Sequence, residues 1–118
     1  MANSKDVLRH IEEYENKLGV SFFDEWDIHK FPFVLLFPDG SLATYGMEPD
    51  TIVVGPTSGP LKLILSILEG IAMNVGLHKV KTTTTRNPKA YAKLSGATCI
   101  KEAHFDDKPW EYTFVKEV

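Results

Sequence analysis

A single cysteine, Cys99, is all the chain carries, so an internal disulfide is excluded, and its alternation within an expected strand suits a small packed thiol rather than a nucleophile. Long apolar runs are also missing. Leu63 to Leu65 and Phe33 to Phe37 fall far below the ~20 apolar residues of a membrane-spanning helix. The start, Met1-Ala2-Asn3-Ser4-Lys5-Asp6, has no basic-then-apolar layout of a secretory signal, and a cytoplasmic location is expected. The 13 Lys and Arg are scattered among 16 Asp and Glu, for a formal net charge of -3, which leaves no electrostatic footprint for nucleic acid. No pair of histidines at i, i+4 and no Cys-x-x-Cys announces a metal site, and no Ser-His-Asp nucleophile signature is present. Repeats, low-complexity tracts and linker-like stretches are absent as well.

What remains is an ordinary folding composition. With 118 residues, 43% hydrophobic and 25% charged, the chain can bury a core unaided, and one domain over residues 1–118 is expected. Asn3 or Ser4 can cap a first helix to Leu18, with Val7, Leu8, Ile11, Tyr14 and Leu18 at helical spacing and Gly19 as its stop. Ser21 and Asp24 form a capping-box pattern ahead of an aromatic-rich short helix with Phe22, Phe23 and Trp26. Phe33 to Phe37 reads as a strand, Pro38-Asp39-Gly40 as a turn, and Ser41 to Tyr45 as the returning strand. Thr51 to Val54 is a β-branched run suited to a strand buried on both faces.

Gly55 to Gly59 reads as a loop into the most strongly patterned helix, where Leu61, Ile64, Leu65, Leu68, Ile71, Ala72 and Val75 share a face, Pro60 lies in the first turn and Gly76 follows. Val80, Thr82 and Thr84 alternate with Lys81, Thr83 and Thr85, so strand, helix and strand form a crossover that implies a parallel pair. Asn87-Pro88 caps a helix that Gly96 stops, and Ala97 to Val118 folds as a hairpin.

This order of strand, loop, amphipathic helix, strand, Asn-headed helix, glycine and two strands resembles the core of the GCN5-related N-acetyltransferases, over about Phe33 to Val118. The resemblance implies a mixed α/β fold of the α+β class. It comprises a mostly antiparallel twisted sheet of about six strands, one central parallel pair that splays apart, and helices on both faces. The family's first strand is expected to be missing. Acetyl-CoA would lie between the splayed strands, Thr51 to Gly55 and Lys79 to Arg86, held by backbone groups of Val53, Val54 and Gly55.

The family's pyrophosphate loop falls at Gly55 to Leu61, where Thr57, Ser58 and Gly59 precede a helix N-terminus able to hold phosphate oxygens. An ordinary strand-to-helix turn is the alternative reading. Pro56 stands where the family has Arg or Gln, and Leu61 where it has a small residue. Asn87 matches the asparagine that contacts the cofactor, and Ala90 the small residue one turn later; helix capping alone would also select Asn87. Where many members carry a proton-donating tyrosine, counting from Asn87 reaches Leu94 and counting back from Gly96 reaches Ala92, with Tyr91 the nearest phenol. Glu48 and Asp50 are the candidate bases, and a solvated turn is their alternative role.

The resemblance therefore implies an acetyltransferase-like protein that binds acetyl-CoA, with N-acetyl transfer weak or lost. The short chain, Asn-headed helix, Gly-Ala pair and closing hairpin also resemble the small acetyltransferase-like proteins encoded by tailed bacteriophages. In that reading the fold is a scaffold whose aromatic surface, drawn from Phe22, Phe23, Trp26, Trp110 or Tyr112, docks a host or virion protein. An exposed sheet edge makes a homodimer the further expectation.

Overall fold

A computed structural model describes residues 4–118. The chain runs α1 (Ser4–Leu18), α2 (Phe22–Glu25), β1 (Phe33–Leu36), β2 (Leu42–Glu48), β3 (Thr51–Ser58), α3 (Leu61–Val75), β4 (Lys79–Thr84), α4 (Pro88–Ser95), β5 (Thr98–Ala103) and β6 (Glu111–Glu117). Six strands form one sheet in the order β1-β2-β3-β4-β6-β5. Every neighbouring pair is antiparallel except β3 and β4, which are parallel. The α3 crossover between those two is what the parallel arrangement requires, since no tight turn can return a strand to the same direction.

Pleating separates the two faces of the sheet. Ala43, Tyr45, Ile52, Val54, Val80 and Phe114 meet Ile64, Leu65, Leu68 and Ala72 of α3 and Tyr91 of α4 in the main core. On the opposite face Leu42 joins Ile11 of α1 and Phe22 of α2 in a smaller cluster, with Val7, Tyr14 and Trp26 against it. α3 stops as its sequence predicts: Gly76 adopts φ 81° and its N–H reaches the carbonyls of Ala72 and Met73, a conformation that costs glycine little.

Several expectations need revision. The capping box at Ser21 does not form. The Glu15 carboxylate instead accepts the Phe22 N–H at 2.9 Å, so the last turns of α1 satisfy the start of α2 from outside it. Phe22 is fully buried, edge-on to Tyr14 at 5.1 Å, and is therefore no part of an exposed aromatic surface. Asn3, the alternative cap of α1, lies outside the described residues. β3 continues through Gly55-Pro56-Thr57-Ser58, the stretch expected to be loop. No helix among the described residues is long and apolar enough to cross a membrane.

Leu68 is fully buried in the main core. Leu68→Ala is expected to lower unfolding stability by about 2–5 kcal/mol, read as a shift of the urea midpoint with little change in slope; a loss under about 1 kcal/mol would mean that α3 does not seal this core.

Candidate functional site

The most distinctive geometry lies between the two parallel strands. Their pairing runs from Thr51 opposite Lys79 to Val54 opposite Thr82 and stops there. Both strands nevertheless continue: β3 stays on β2 to Ser58 opposite Leu42, and β4 stays on β6 to Thr84 opposite Tyr112. Beyond the Val54–Thr82 pair each strand thus lacks a partner on the side facing the other, and a gap opens toward their carboxyl ends, where ligands of parallel α/β sheets bind.

The divergence has a local cause. A register shift between Ala43 and Tyr45 places the β3 residues Gly55 and Pro56 in a bulge, and bulges bend and twist the strand that carries them. Pro56 has no N–H to give to a ladder, so a bulge is one of the few strand positions it tolerates. Its carbonyl instead accepts the Thr44 hydroxyl at 3.0 Å. Gly55 is demanded by crowding: a Cβ there would lie 2.5 Å from Thr44 Oγ1 and 2.6 Å from Cγ of Phe31. The Phe31 carbonyl is fixed in turn by Trp26 Nε1 at 2.7 Å, so α2 and the following loop brace the bulge.

Around the mouth of the gap the expected residues fall in different roles. Val53 and Val54 are buried and belong to the last two parallel pairs. Thr57 pairs with Ala43. The Ser58 hydroxyl donates to the His10 carbonyl at 2.7 Å, toward α1 rather than the gap. Gly59, at φ 136°, packs so tightly that a Cβ would lie 2.6 Å from Ser41 Oγ. α3 then begins with Ile64 N–H on the Pro60 carbonyl at 3.0 Å, leaving the amides of Leu61, Lys62 and Leu63 as the unpaired donors of a helix start. Its first turn holds no acidic residue. Asn87 caps α4, its Oδ1 accepting from Lys89 N at 3.0 Å and Ala90 N at 3.2 Å; both Asn87 and Ala90 are exposed.

Tyr91 is the residue the sequence could least place. It is buried, its ring 4.7 Å from that of Phe114, and its hydroxyl makes no hydrogen bond of ordinary geometry. Burial raises its pKa, with the nearby Thr82 hydroxyl and the charge of Arg86 offsetting part of that effect. Thr82 closes the parallel ladder, so the phenol, its oxygen buried, lies beneath the last parallel pair next to the apex of the gap. Leu94 is 42% exposed and Ala92 has no proton to give, so neither takes that role.

Glu48 and Asp50 lie at the closed end instead. Glu48 accepts from Lys81 Nζ at 3.2 Å. The Asp50 carboxylate meets His78 Nδ1, and its carbonyl accepts the N–H groups of His78 and Lys79 at 3.1 Å each. Asp50 stands four residues before Val54, roughly 13 Å along an extended strand. Sequence reasoning missed Phe31, Thr44, Thr82 and Lys62; a glycine inside each of β2 and β3 was the available sign that backbone or a ring approaches closely there. A separate cavity of about 200 Å³ opens beside the first turn of α3, lined by Phe37, Pro38, Asp39, Ser41, Pro60, Leu63 and Ile64. Among the described residues no cluster of three or more His, Cys, Asp or Glu side chains gathers for a metal ion.

No protein-family model matches the chain, and no curated protein does. Solved structures do. A putative N-acetyltransferase from Lactobacillus plantarum superposes with a TM-score of 0.71 at 13% identity, over 96% of this chain and 89% of that one. A chain of the NatC complex bound to Gag peptide and CoA gives 0.69 at 10% identity, over 98% and 92%. A Bacillus subtilis acetyltransferase in complex with CoA gives 0.53 at 10% identity, over 66% and 68%. At such identities the likeness concerns the fold: the chain has the fold of the GCN5-related N-acetyltransferases, with a six-stranded, mostly antiparallel sheet and one parallel pair.

The Asp50–His78 pair makes a pH test available. The His78 hydrogen bond, followed by the charges of His78 and Lys79, holds the Asp50 carboxyl below its ordinary range. A depressed native pKa contributes stability above the unfolded-state value that is lost as pH falls through the native value. Asp50 has φ 66°, a region asparagine also tolerates, so Asp50→Asn isolates the charge. The variant is expected to melt below the parent at pH 7, with the difference vanishing in the acid range; a difference independent of pH would mean that the charge contributes nothing.

Proposed function

We propose that the chain is an acetyltransferase-like protein that binds acetyl-CoA between β3 and β4, with N-acetyl transfer weak or lost. The observation that carries this reading is the parallel ladder that ends at Val54–Thr82 while both strands run on. An extended, amide-bearing arm can occupy such a gap in the manner of a strand, and the free amides and positive end of α3 suit its phosphates. The solved structures in complex with CoA that share the fold support the same choice of ligand. Bound acetyl-CoA supplies an activated acetyl thioester.

The chain's own residues do the rest, and incompletely. Tyr91 carries its proton at neutral pH as any phenol does, burial pushes its pKa further up, and its place beside Thr82 puts that proton near the apex. Glu48 and Asp50, the candidate bases, are engaged by Lys81 and His78 at the closed end. Pro56 and Pro60 remove two backbone donors near the phosphate end. Positioning without a poised base accounts for slow transfer.

Thermal unfolding with and without acetyl-CoA tests the binding. A ligand that binds only the folded state contributes about 2.7 kcal/mol at a hundred times its Kd, so the midpoint is expected to rise at millimolar ligand; no rise removes the reading. Lys62→Glu suits the helix dipole and so spares the fold, but it repels phosphate, and it should abolish most of the rise. Tyr91→Phe should leave the rise intact and lower any measured transfer by about 10²-fold or more; an unchanged rate would exclude Tyr91 as the proton donor.

One observation favours the scaffold reading as the second: Phe23 and Trp110 are 60% and 47% exposed, surface of the kind that anchors a protein partner. Docking a host or virion protein, as for the tailed-phage proteins the sequence resembles, would need no acetyl-CoA and would be lost in Trp110→Ala or Phe23→Ala.

A further inference from the structure

β1 is the outermost strand on its side of the sheet, and its outer edge is apolar. Phe33, Val34 and Leu36 are 44%, 41% and 59% exposed, and no charged residue occurs between Phe31 and Phe37. Natural edge strands are commonly protected by charge, because free N–H and C=O groups template further pairing. Here the protection is confined to the ends, where Pro32 and Pro38 flank the strand.

The hairpin fixes which groups face outward. Phe37 N–H donates to the Ser41 carbonyl at 2.9 Å, and Leu35 and Phe33 follow at two-residue steps, opposite Ala43 and Tyr45. Antiparallel ladders alternate, so the main-chain groups of Phe33, Leu35 and Phe37 are turned to β2 and those of Val34 and Leu36 outward. Pro32 and Pro38 hold the next outward positions, where a missing N–H ends any added ladder.

We infer that this edge pairs with the same edge of a second copy of the chain, antiparallel, across a two-fold axis at Leu35. The window between the prolines is symmetric about that residue. In this register Val34 of each copy faces Leu36 of the other, and both exchange their main-chain bonds. Pro32 falls opposite Pro38 at the next outward pair, and since neither has an N–H the added ladder ends there on both sides. An uncharged strand sets no like charges against each other across such an axis, as a charged strand would.

The side chains are self-complementary as well. On the α3 face, Phe33 stands exposed at one end of the strand and Phe37 lines the cavity of about 200 Å³ at the other, with Leu63 and Pro60. The two-fold sets Phe33 of each copy, stacked on its own Tyr45 at 5.2 Å, beside Phe37 of the other at the rim of that cavity, twice. That is what an isologous contact requires, and it is independent of acetyl-CoA binding.

Sedimentation of the full chain over a range of concentrations tests it. A reversible monomer–dimer equilibrium is expected; a monomer at every concentration up to about 1 mM overturns the proposal. Leu36→Glu and Val34→Lys alter exposed side chains, so circular dichroism and melting should show intact folds while each weakens the dimer by about tenfold or more. The combined variant Val34→Lys/Leu36→Glu sets opposite charges against each other at both ends of the ladder and should regain most of the lost affinity. A combined variant that stays monomeric refutes the register. Exchange protection of the Val34 and Leu36 amides should grow with concentration; protection that is equal at all dilutions would mean that the chain's own residues cover the edge, and would refute the dimer.

Discussion

The bulge at Gly55-Pro56 is the constraint on which the site depends. A strand that stays on β2 while bending cannot also stay on β4, because each ladder fixes a spacing of about 4.8 Å. The proline removes the donor that would otherwise have to be paired, and the Thr44 hydroxyl satisfies its carbonyl. The ring of Phe31 then fills the space that any side chain at position 55 would need. The gap is thus held by packing on the α1 face, while the α3 face supplies the helix start and the buried phenol.

This division of labour explains why the site has positioning features and few reactive ones. The acidic proton nearest the apex is that of Tyr91, a phenol neutral at pH 7 whose pKa burial raises further. The carboxylates with the nearest claim to act as bases sit where the parallel ladder is intact, each engaged by a cation or histidine. Their pairs tie the turn before β3 to β4 and hold the closed end shut. The same residues therefore read as structural supports of the wedge, and the chemistry near the apex is left to backbone groups and a phenol.

Much of the frame was legible in the sequence, for identifiable reasons. α3 carried an apolar face over four turns with Pro60 before it and Gly76 behind it, and Asn87-Pro88 announced α4; these signals are local, and the structure keeps them. The parallel pair followed from the length of the crossover. The length of β3 was not legible, because Gly55, Pro56 and Ser58 are turn formers and only pairing with β2 makes them strand. Ser21 carried a capping pattern, but Glu15 reached the same amide from the previous helix, a contact that no local spacing encodes. Counting reached Leu94 from one side and Ala92 from the other, and only the packing of α4 on Phe114 decides which way the Tyr91 ring points.

The central claim is that the two parallel strands part after Val54 and Thr82. Cross-strand nuclear Overhauser effects in the unliganded protein test it most directly. The account predicts interstrand contacts between the backbones of residues 51–54 and 79–82, and none between residues 55–58 and 83–86. A parallel contact pattern that continues past Val54 would contradict it, and the proposed acetyl-CoA site would have no gap to occupy.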